Sequence, residues 1–120
     1  MTDCVFCRIA AGEIPADIVA GDDEFVAFKD LHPVAPEHVL VIPRRHVASL
    51  DRIGDLGEPA AGRLLAFVAS VAATVGVTEG GYRVIVNTGR NAGQEVQHVH
   101  VHILGGEPLG PMRCTRGSGS

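Results

Sequence analysis

Three histidines alternate with aliphatic residues in the segment His98-Val-His-Val-His-Ile103, near the C-terminal end of this 120-residue chain. In an extended strand, a period of two places the three imidazoles on one face and the aliphatic side chains on the other. Same-face Cα atoms repeat at roughly 7 Å, so His98 and His102 lie roughly 14 Å apart. The three rings therefore cannot all converge on one metal ion, and we expect a division of roles among them.

Neutral imidazoles near pH 7 serve as nucleophiles, general bases or metal ligands. The preceding loop, Asn87-Thr-Gly-Arg-Asn-Ala-Gly93, can offer backbone N–H groups to an anion, because glycine permits close approach. Histidine beside an anion site indicates phosphoryl or nucleotidyl transfer, in which an imidazole attacks phosphorus and water hydrolyses the adduct. The alternative is a metal-chelating strand without catalysis, since His-x-His with a third ligand can hold zinc.

Two of the three cysteines form the spacing Cys4-x-x-Cys7. On one helical turn the two thiolates face a common point, which amounts to half of a zinc site. An odd cysteine count, with no signal-peptide pattern at the start of the chain, favours metal or thiol chemistry over a disulfide framework. The alternative for this pair is two small buried residues.

The elements that position these residues follow from hydrophobic periodicity and turn residues. A short helix is predicted over residues 4–11, with Gly12 after it, and a longer one over 60–75, where apolar residues recur at helical spacing. Residues 51–59 and 88–95 are predicted to be loops. Strands are predicted over residues 18–20, 25–29, 38–42, 82–86 and 96–104. This order lacks regular alternation of strands and helices, so we expect an antiparallel α+β sheet.

Composition excludes several classes of function. A chain of 120 residues with 46% hydrophobic content suits a single packed domain. The net charge of -4 and the 4% aromatic content argue against a binder of polymeric nucleic acid, which needs a basic face or stacking surfaces. No apolar run reaches the roughly 20 residues of a membrane span. We therefore expect a soluble, cytoplasmic protein with no membrane partner.

These segments resemble the histidine triad (HIT) superfamily of nucleotide hydrolases and transferases. The segment from His98 to Ile103 is similar to the motif that defines the superfamily. Further matches lie upstream of it, in the same order as in the family, at residues 3–9, 13–16, 28–31, 35–46 and 87–96. Asn87 resembles the Hint branch, whereas the Fhit branch carries Gln there. The resemblance implies a HIT domain over residues 1–112, with a flexible tail over 113–120. It also implies a five-stranded antiparallel sheet with two helices, the sheets of two copies joining across a homodimer.

The resemblance implies a role for each residue that matches the family pattern. His100 is the nucleophile that takes the nucleotidyl group, His102 contacts the phosphate and assists the leaving group, and His98 supports the site. His38 matches a histidine placed behind these rings. The nucleoside side of the pocket falls on Phe6, Ile9, Ile14, Phe28, Asp30 and Leu31, where Asp30 accepts hydrogen bonds from the ribose. The phosphate side falls on Asn87, Gly93, Glu95 and Val96.

Some members of the superfamily bind zinc through two cysteines and two histidines at positions similar to Cys4, Cys7, His46 and His98. The resemblance therefore implies a zinc site at these four residues. A closed set of four protein ligands is typical of structural zinc. Such an ion would join the N-terminal helix to the sheet.

The activity implied is hydrolysis of a purine nucleoside 5′-phosphoramidate or an acyl-adenylate through a nucleotidyl-His100 intermediate, with no organic cofactor. The alternatives are a Fhit-like dinucleoside polyphosphate hydrolase or phosphorylase, and a non-catalytic nucleotide- or zinc-binding regulatory module. Two departures from the family pattern stand out. Glu95 occupies the place of a phosphate-binding Ser in animal Hint proteins, and since a carboxylate repels phosphate, its backbone N–H is the expected ligand. The chain also reads Pro108-Leu-Gly-Pro-Met112 in place of Trp-Pro-Pro-Gly.

Overall fold

A five-stranded antiparallel sheet, with one helix on each face, is the framework of residues 4–113, which a computed structural model describes. The strands are β1 (Ile18–Gly21), β2 (Phe25–Lys29), β3 (Glu37–Pro43), β4 (Tyr82–Ile85) and β5 (Val101–Gly105). They lie in the order β1-β2-β3-β5-β4. The α-helices are α1 (Val5–Ala10) and α2 (Glu58–Thr74), and two 3-10 helices span Leu50–Leu56 and Arg90–Ala92. The predicted α+β class and antiparallel sheet are confirmed.

Alternation along the central strands divides the hydrophobic core between the two faces of the sheet. Helix α2 buries Leu64, Val68 and Val71 on one face, as its spacing predicts, against Phe25, Ala27, Val39, Val41, Val101 and Ile103. Helix α1 inserts Phe6 on the other face, against Val26, Phe28, Leu40 and Ile42. The second face is the one that carries the candidate site.

Strand β5 brings the histidine segment to the α1 face. Its register pairs His102 with Leu40 of β3, and the flanking Val101 and Ile103 turn toward α2. The period of two expected for this segment therefore holds from Val101 onward.

The prediction of a strand over 96–104 is wrong in its first half, because β5 begins only at Val101. Continuing the register of β3 and β5 would set Val99 opposite Pro43, which has no N–H to give to the ladder. The Val99 N–H donates instead to the Val47 carbonyl at 2.6 Å. His98 and His100 therefore lie on the connection that precedes β5, although both rings still contact Phe6 on the α1 face.

Two predicted loops contain short helices. Within 51–59 the chain forms the 3-10 helix Leu50–Leu56, whose first N–H groups are capped by Ser49, with the Asp51 N–H 3.3 Å from the hydroxyl oxygen. The loop 88–95 likewise includes Arg90–Ala92. Helix α2 begins at Glu58, two residues earlier than predicted, with proline in its first turn. The other predicted elements agree within two residues at each end.

The predicted tail over 113–120 lies, from Cys114 onward, outside the described residues, and the domain boundary at residue 112 stays a prediction. None of the individual helices in residues 4–113 combines the length and the apolar composition of a membrane span. The 3-10 helix Leu50–Leu56 and α2 reach that length and composition only together, and the pair is bent by 115°.

Candidate active site

A cavity in two adjoining parts lies on the α1 face of the sheet. The first part, of about 270 Å³, is mostly apolar, and its lining includes Phe6, Ile9, Ile14, Phe28, Asp30 and Leu31. The second, of about 280 Å³, is lined by Phe6, Asp30, Leu40, Asn87, Gly93, Glu95, Val96, His100 and His102. Every residue that the resemblance assigned to nucleotide binding thus lines one part or the other. Asp30 lines both parts, between the first part, which we call the apolar slot, and the histidines of the second part.

Leu40, which is not among the predicted site residues, also lines both parts of the cavity. It lies on β3 between His38 and Ile42 and points to the same face as both. The alternation along β3 was therefore a signal that could have identified it.

The ring of His100 is fixed by the backbone. Its Nδ1 lies 2.8 Å from the carbonyl oxygen of His98, and because a carbonyl only accepts, Nδ1 is the nitrogen that carries the proton. In the neutral ring Nε2 then has a free lone pair. The ring also packs edge-on against Phe6, with centroids 5.1 Å apart. His100 thus offers a nucleophilic nitrogen to the cavity that it lines.

The ring of His102 is held in the opposite tautomer. The Val34 N–H donates to Nδ1 of His38 at 3.1 Å, so the proton of His38 is on Nε2. That Nε2 lies 2.9 Å from Nδ1 of His102, which must therefore accept. His102 then keeps its own proton on Nε2. The cavity is consequently lined by one imidazole with a free lone pair and one with an N–H donor.

Both His38 and His102 are neutral near pH 7. Burial, together with the nearby rings of His100 and His38, lowers the pKa of His102 to about 4, whereas Asp30 opposes the shift. Burial likewise lowers the pKa of His38. The neutral states agree with the hydrogen bonds, because a doubly protonated His102 could not accept from His38.

The lowered pKa of His102 predicts that stability falls in acid. Between the unfolded value of about 6.5 and the folded value of about 4, the unfolded chain binds more protons. The free energy of unfolding therefore decreases as the pH falls through this window. In urea unfolding of metal-free protein, we expect a smaller loss in His102→Asn, which keeps an acceptor for His38 but cannot be protonated. Equal losses in the two proteins would contradict the assignment.

Asp30, His38 and His102 also lie close enough together to hold a metal ion. The Val34 N–H argues against this use, because it leaves the proton of His38 on Nε2, the atom nearest to His102 and Asp30. A metal there would need the lone pair that this nitrogen lacks. The group is better described as a chain of hydrogen bonds that orients His102.

Cys4, Cys7, His46 and His98 form the second cluster, with all four ligand atoms within 4.8 Å of one another. Nδ1 of His98 lies 3.3 Å from Sγ of Cys4 and 3.5 Å from Sγ of Cys7, and Nδ1 of His46 lies 3.3 Å from Sγ of Cys7. Bonds of about 2.0–2.3 Å to a tetrahedral zinc ion imply ligand separations of roughly 3.5 Å. The spacing of the four atoms therefore fits that ion.

The protonation of the cluster also fits a metal. Nε2 of His98 lies 2.8 Å from the Pro43 carbonyl oxygen and must donate to it, which leaves the Nδ1 lone pair facing the thiols. Burial raises the pKa of the Cys7 thiol, and the adjacent Cys4 raises it further. Two adjacent thiolates need a cation to be stable together. The four residues are thus compatible with zinc.

His98 links the cysteine cluster to the ring of His100. Its ring belongs to the cysteine group, while its backbone carbonyl accepts the Nδ1–H of His100. Phe6, which lies between the two cysteines on α1, packs against both rings. Order at the cysteine cluster therefore fixes the orientation of His100.

Gln94 is a further site residue that is not among the predicted ones. Its buried amide donates to the carbonyls of Ala48 and Val96 and accepts from the Gly89 N–H, at 2.8, 3.0 and 2.9 Å. These bonds fix the loop that brings Asn87 and Gly93 to the cavity. A lone glutamine in a glycine-rich loop gives no periodic signal that could have identified it.

Comparison with known proteins identifies the family. A profile of the HIT domain matches residues 11–109. The chain belongs to the HIT family. The purine nucleoside phosphoramidase of Escherichia coli (strain K12) is 44% identical to this HIT protein over 115 residues, which cover 96% of this chain and 97% of the relative. Protein HitA of Neisseria gonorrhoeae is 45% identical over 105 residues, covering 88% and 97%.

Solved HIT structures share the fold. A histidine triad protein from Clostridium difficile superposes with a TM-score of 0.88 at 43% identity, covering 94% of this chain and 98% of that one. A HIT family hydrolase from Legionella pneumophila Philadelphia 1 has a TM-score of 0.85 at 40% identity, covering 90% and 96%. The five-stranded sheet is thus the HIT fold, and the protein is a HIT family hydrolase.

Proposed function

We propose that this HIT protein hydrolyses purine nucleoside 5′-phosphoramidates or acyl-adenylates through a covalent nucleotidyl-His100 intermediate. The proposal rests on the paired tautomers: a free Nε2 lone pair on His100 beside an Nε2–H on His102, both lining one cavity. A nucleophile beside a hydrogen-bond donor is what displacement at phosphorus requires. The relative from Escherichia coli, named a purine nucleoside phosphoramidase, supports the choice of substrate class.

The two parts of the cavity match the two parts of such a substrate. The apolar slot takes the purine, with Phe6 and Phe28 edge to face at one wall. Asp30 accepts from the ribose hydroxyls, and it is held in place because its Oδ1 accepts the His32 N–H at 2.7 Å. The phosphate then lies against His100 and His102, where the backbone N–H groups of the loop around Gly93 meet its charge.

The reaction proceeds in two displacements. Nε2 of His100 attacks phosphorus, a P–Nε2 bond forms, and the bond to the leaving amine breaks while His102 donates a hydrogen bond to the departing atom. Water then attacks phosphorus and releases His100. The first step adds one proton to the leaving nitrogen, and the second step releases one proton from water. The two cancel, so water is the only co-reactant of the cycle. His38 is a positioning residue that holds His102 in the donor tautomer.

We further propose that Cys4, Cys7, His46 and His98 bind zinc. A closed Cys₂His₂ site supplies no reaction chemistry and serves to hold structure. Here it would fix α1 and the His98 carbonyl that orients His100. Free cysteines of this kind persist in a reducing compartment, which supports a cytoplasmic location.

We also propose a homodimer in which two sheets join. The sheet edges are β1 and β4. Strand β1 contains a register irregularity between Ile18 and Ala20, which hinders further pairing, whereas β4 pairs with β5 in a regular register. The β4 edge is therefore the one that pairs. Sedimentation velocity tests this, and a monomer at all accessible concentrations would contradict it.

A substrate panel tests the proposed activity. We expect kcat/KM for adenosine 5′-phosphoramidate to exceed that for diadenosine polyphosphates by about 100-fold or more, because no lysine or arginine among the described residues lines the phosphate part of the cavity. A reversed ratio would favour the dinucleoside polyphosphate hydrolase. Tight nucleotide binding without turnover of either class would favour the regulatory module and overturn the proposal.

A further inference from the structure

Glu95 is a wall residue of the catalytic cavity that the proposed mechanism does not use. It lines the phosphate part together with His100 and His102, and its side chain is exposed to solvent. Within residues 4–113 its carboxylate makes no hydrogen bond or ion pair. An unengaged charge beside the reacting atoms acts on whatever part of the substrate lies near it.

The charge of Glu95 is not balanced within this part of the cavity. Asp30 is the other carboxylate there, and its oxygens are engaged, one by the His32 N–H at 2.7 Å and the other near Nε2 of His38 at 3.5 Å. Lysine and arginine are absent from the described lining, and His102 is neutral near pH 7. The electrostatic potential at this wall of the cavity is therefore negative.

The position of Glu95 determines which part of the substrate its carboxylate interacts with. A substrate with its base in the apolar slot and its ribose at Asp30 has its phosphorus at His100 and His102. Glu95 lines only the second part of the cavity, beside His100 and His102, and does not line the apolar slot. Its carboxylate therefore faces the phosphate and the leaving group and not the nucleoside. Because the carboxylate repels the phosphate, the leaving group is the part of the substrate that it can attract.

We propose that Glu95 is a specificity-determining residue for phosphoramidate substrates, which selects leaving amines bearing a second, cationic group over leaving amines bearing an anionic group. This inference rests on the proposed phosphoramidase activity and deepens it by naming the class of leaving group. An ammonium or guanidinium on the departing amine is attracted by the carboxylate, whereas a carboxylate on the departing amine is repelled. For each of these amines the P–N bond breaks and the P–Nε2 bond to His100 forms, as in the proposed first step.

The size of the effect follows from a single pair of partly solvated charges. At a separation of roughly 6 Å in a medium between protein and water, one charge changes kcat/KM by roughly three- to tenfold. The ratio between a cationic and an anionic leaving group then spans roughly 10- to 100-fold, because attraction and repulsion add. Salt near 1 M reduces this ratio, since the screening length falls to about 3 Å.

Three adenosine 5′-phosphoramidates test the inference. Their leaving amines share one aliphatic chain and end in an ammonium, a hydroxyl or a carboxylate, and kcat/KM is measured for each with the wild type, Glu95→Gln and the control Glu79→Gln. Glu79 is an exposed glutamate outside the cavity. We expect the wild type and Glu79→Gln to rank the substrates in that order. Glu95→Gln should reduce the ammonium-to-carboxylate ratio of kcat/KM by about tenfold, lowering kcat/KM for the ammonium substrate relative to the hydroxyl substrate and raising it for the carboxylate substrate relative to the hydroxyl substrate.

The possible outcomes separate this inference from the proposed function. Turnover of the hydroxyl substrate by the wild type supports the phosphoramidase activity whatever the role of Glu95. An unchanged ratio in Glu95→Gln overturns the inference and leaves the activity standing. Equal acceleration of all three substrates also overturns it, because Glu95 would then act on the phosphate. Failure of the wild type to cleave any of them overturns both.

Discussion

Replacing His100 by asparagine should lower turnover of adenosine 5′-phosphoramidate by about 10³-fold or more, while AMP affinity changes less than about threefold. Asparagine places an amide where Nδ1 of the ring lies, so it can still donate to the His98 carbonyl. It has no atom at the position of Nε2, the proposed nucleophile. The loss should therefore appear in kcat, measured by release of the amine, with binding measured separately by calorimetry.

His102→Asn is the matched comparison for His100→Asn. It keeps an acceptor for His38 and removes only the Nε2–H donor. Loss of one hydrogen-bond donor to the transition state costs about 10²- to 10³-fold, and His100 should remain able to form the covalent adduct. Turnover of His100→Asn within tenfold of the wild type, in a preparation free of wild-type enzyme, would be incompatible with nucleophilic attack by His100.

Removal of zinc should have the second-largest effect. We expect one zinc per chain in the purified protein, and chelation or Cys7→Ser should remove it and lower Tm by about 5 °C or more, because four ligands from three segments of chain lose their common ion. Since the His98 carbonyl orients His100, kcat should fall more than KM rises. Zinc content is measured by mass spectrometry of the metal and Tm by calorimetry.

Cys114→Ser is the control for the zinc prediction. It removes the third cysteine, which is outside the proposed ligand set, and should leave the zinc content and Tm at their wild-type values. A metal-free protein as purified, with a Tm that neither a chelator nor Cys7→Ser changes, would contradict a structural zinc site.

The sequence determined the regular elements well, because burial and periodicity are local properties of the chain. The run over 38–42 identifies β3 through its β-branched residues, and the spacing over 60–75 identifies the buried face of α2. The predicted strand does not form over residues 96–100, and the cause is non-local. Pro43 is distant along the chain, and it comes opposite Val99 only once the register of β3 and β5 is set.

The residues of the candidate site were predictable from the sequence, whereas the tautomers of its histidines were not. The resemblance supplied the histidines, the pocket residues and the four cluster residues, and the structure places each group together. The tautomers depend on the His98 carbonyl, the Val34 N–H and the Pro43 carbonyl. These are backbone groups, so residue types alone do not reveal them.

The stereochemical course at phosphorus is the most direct test of a covalent nucleotidyl-His100 intermediate. An adenosine 5′-phosphoramidate made chiral at phosphorus by sulfur substitution is hydrolysed in water labelled with heavy oxygen, and the configuration of the product is determined. Two in-line displacements, each inverting, predict retention of configuration. Net inversion would mean that water attacks the substrate directly, and it would contradict the proposed role of His100.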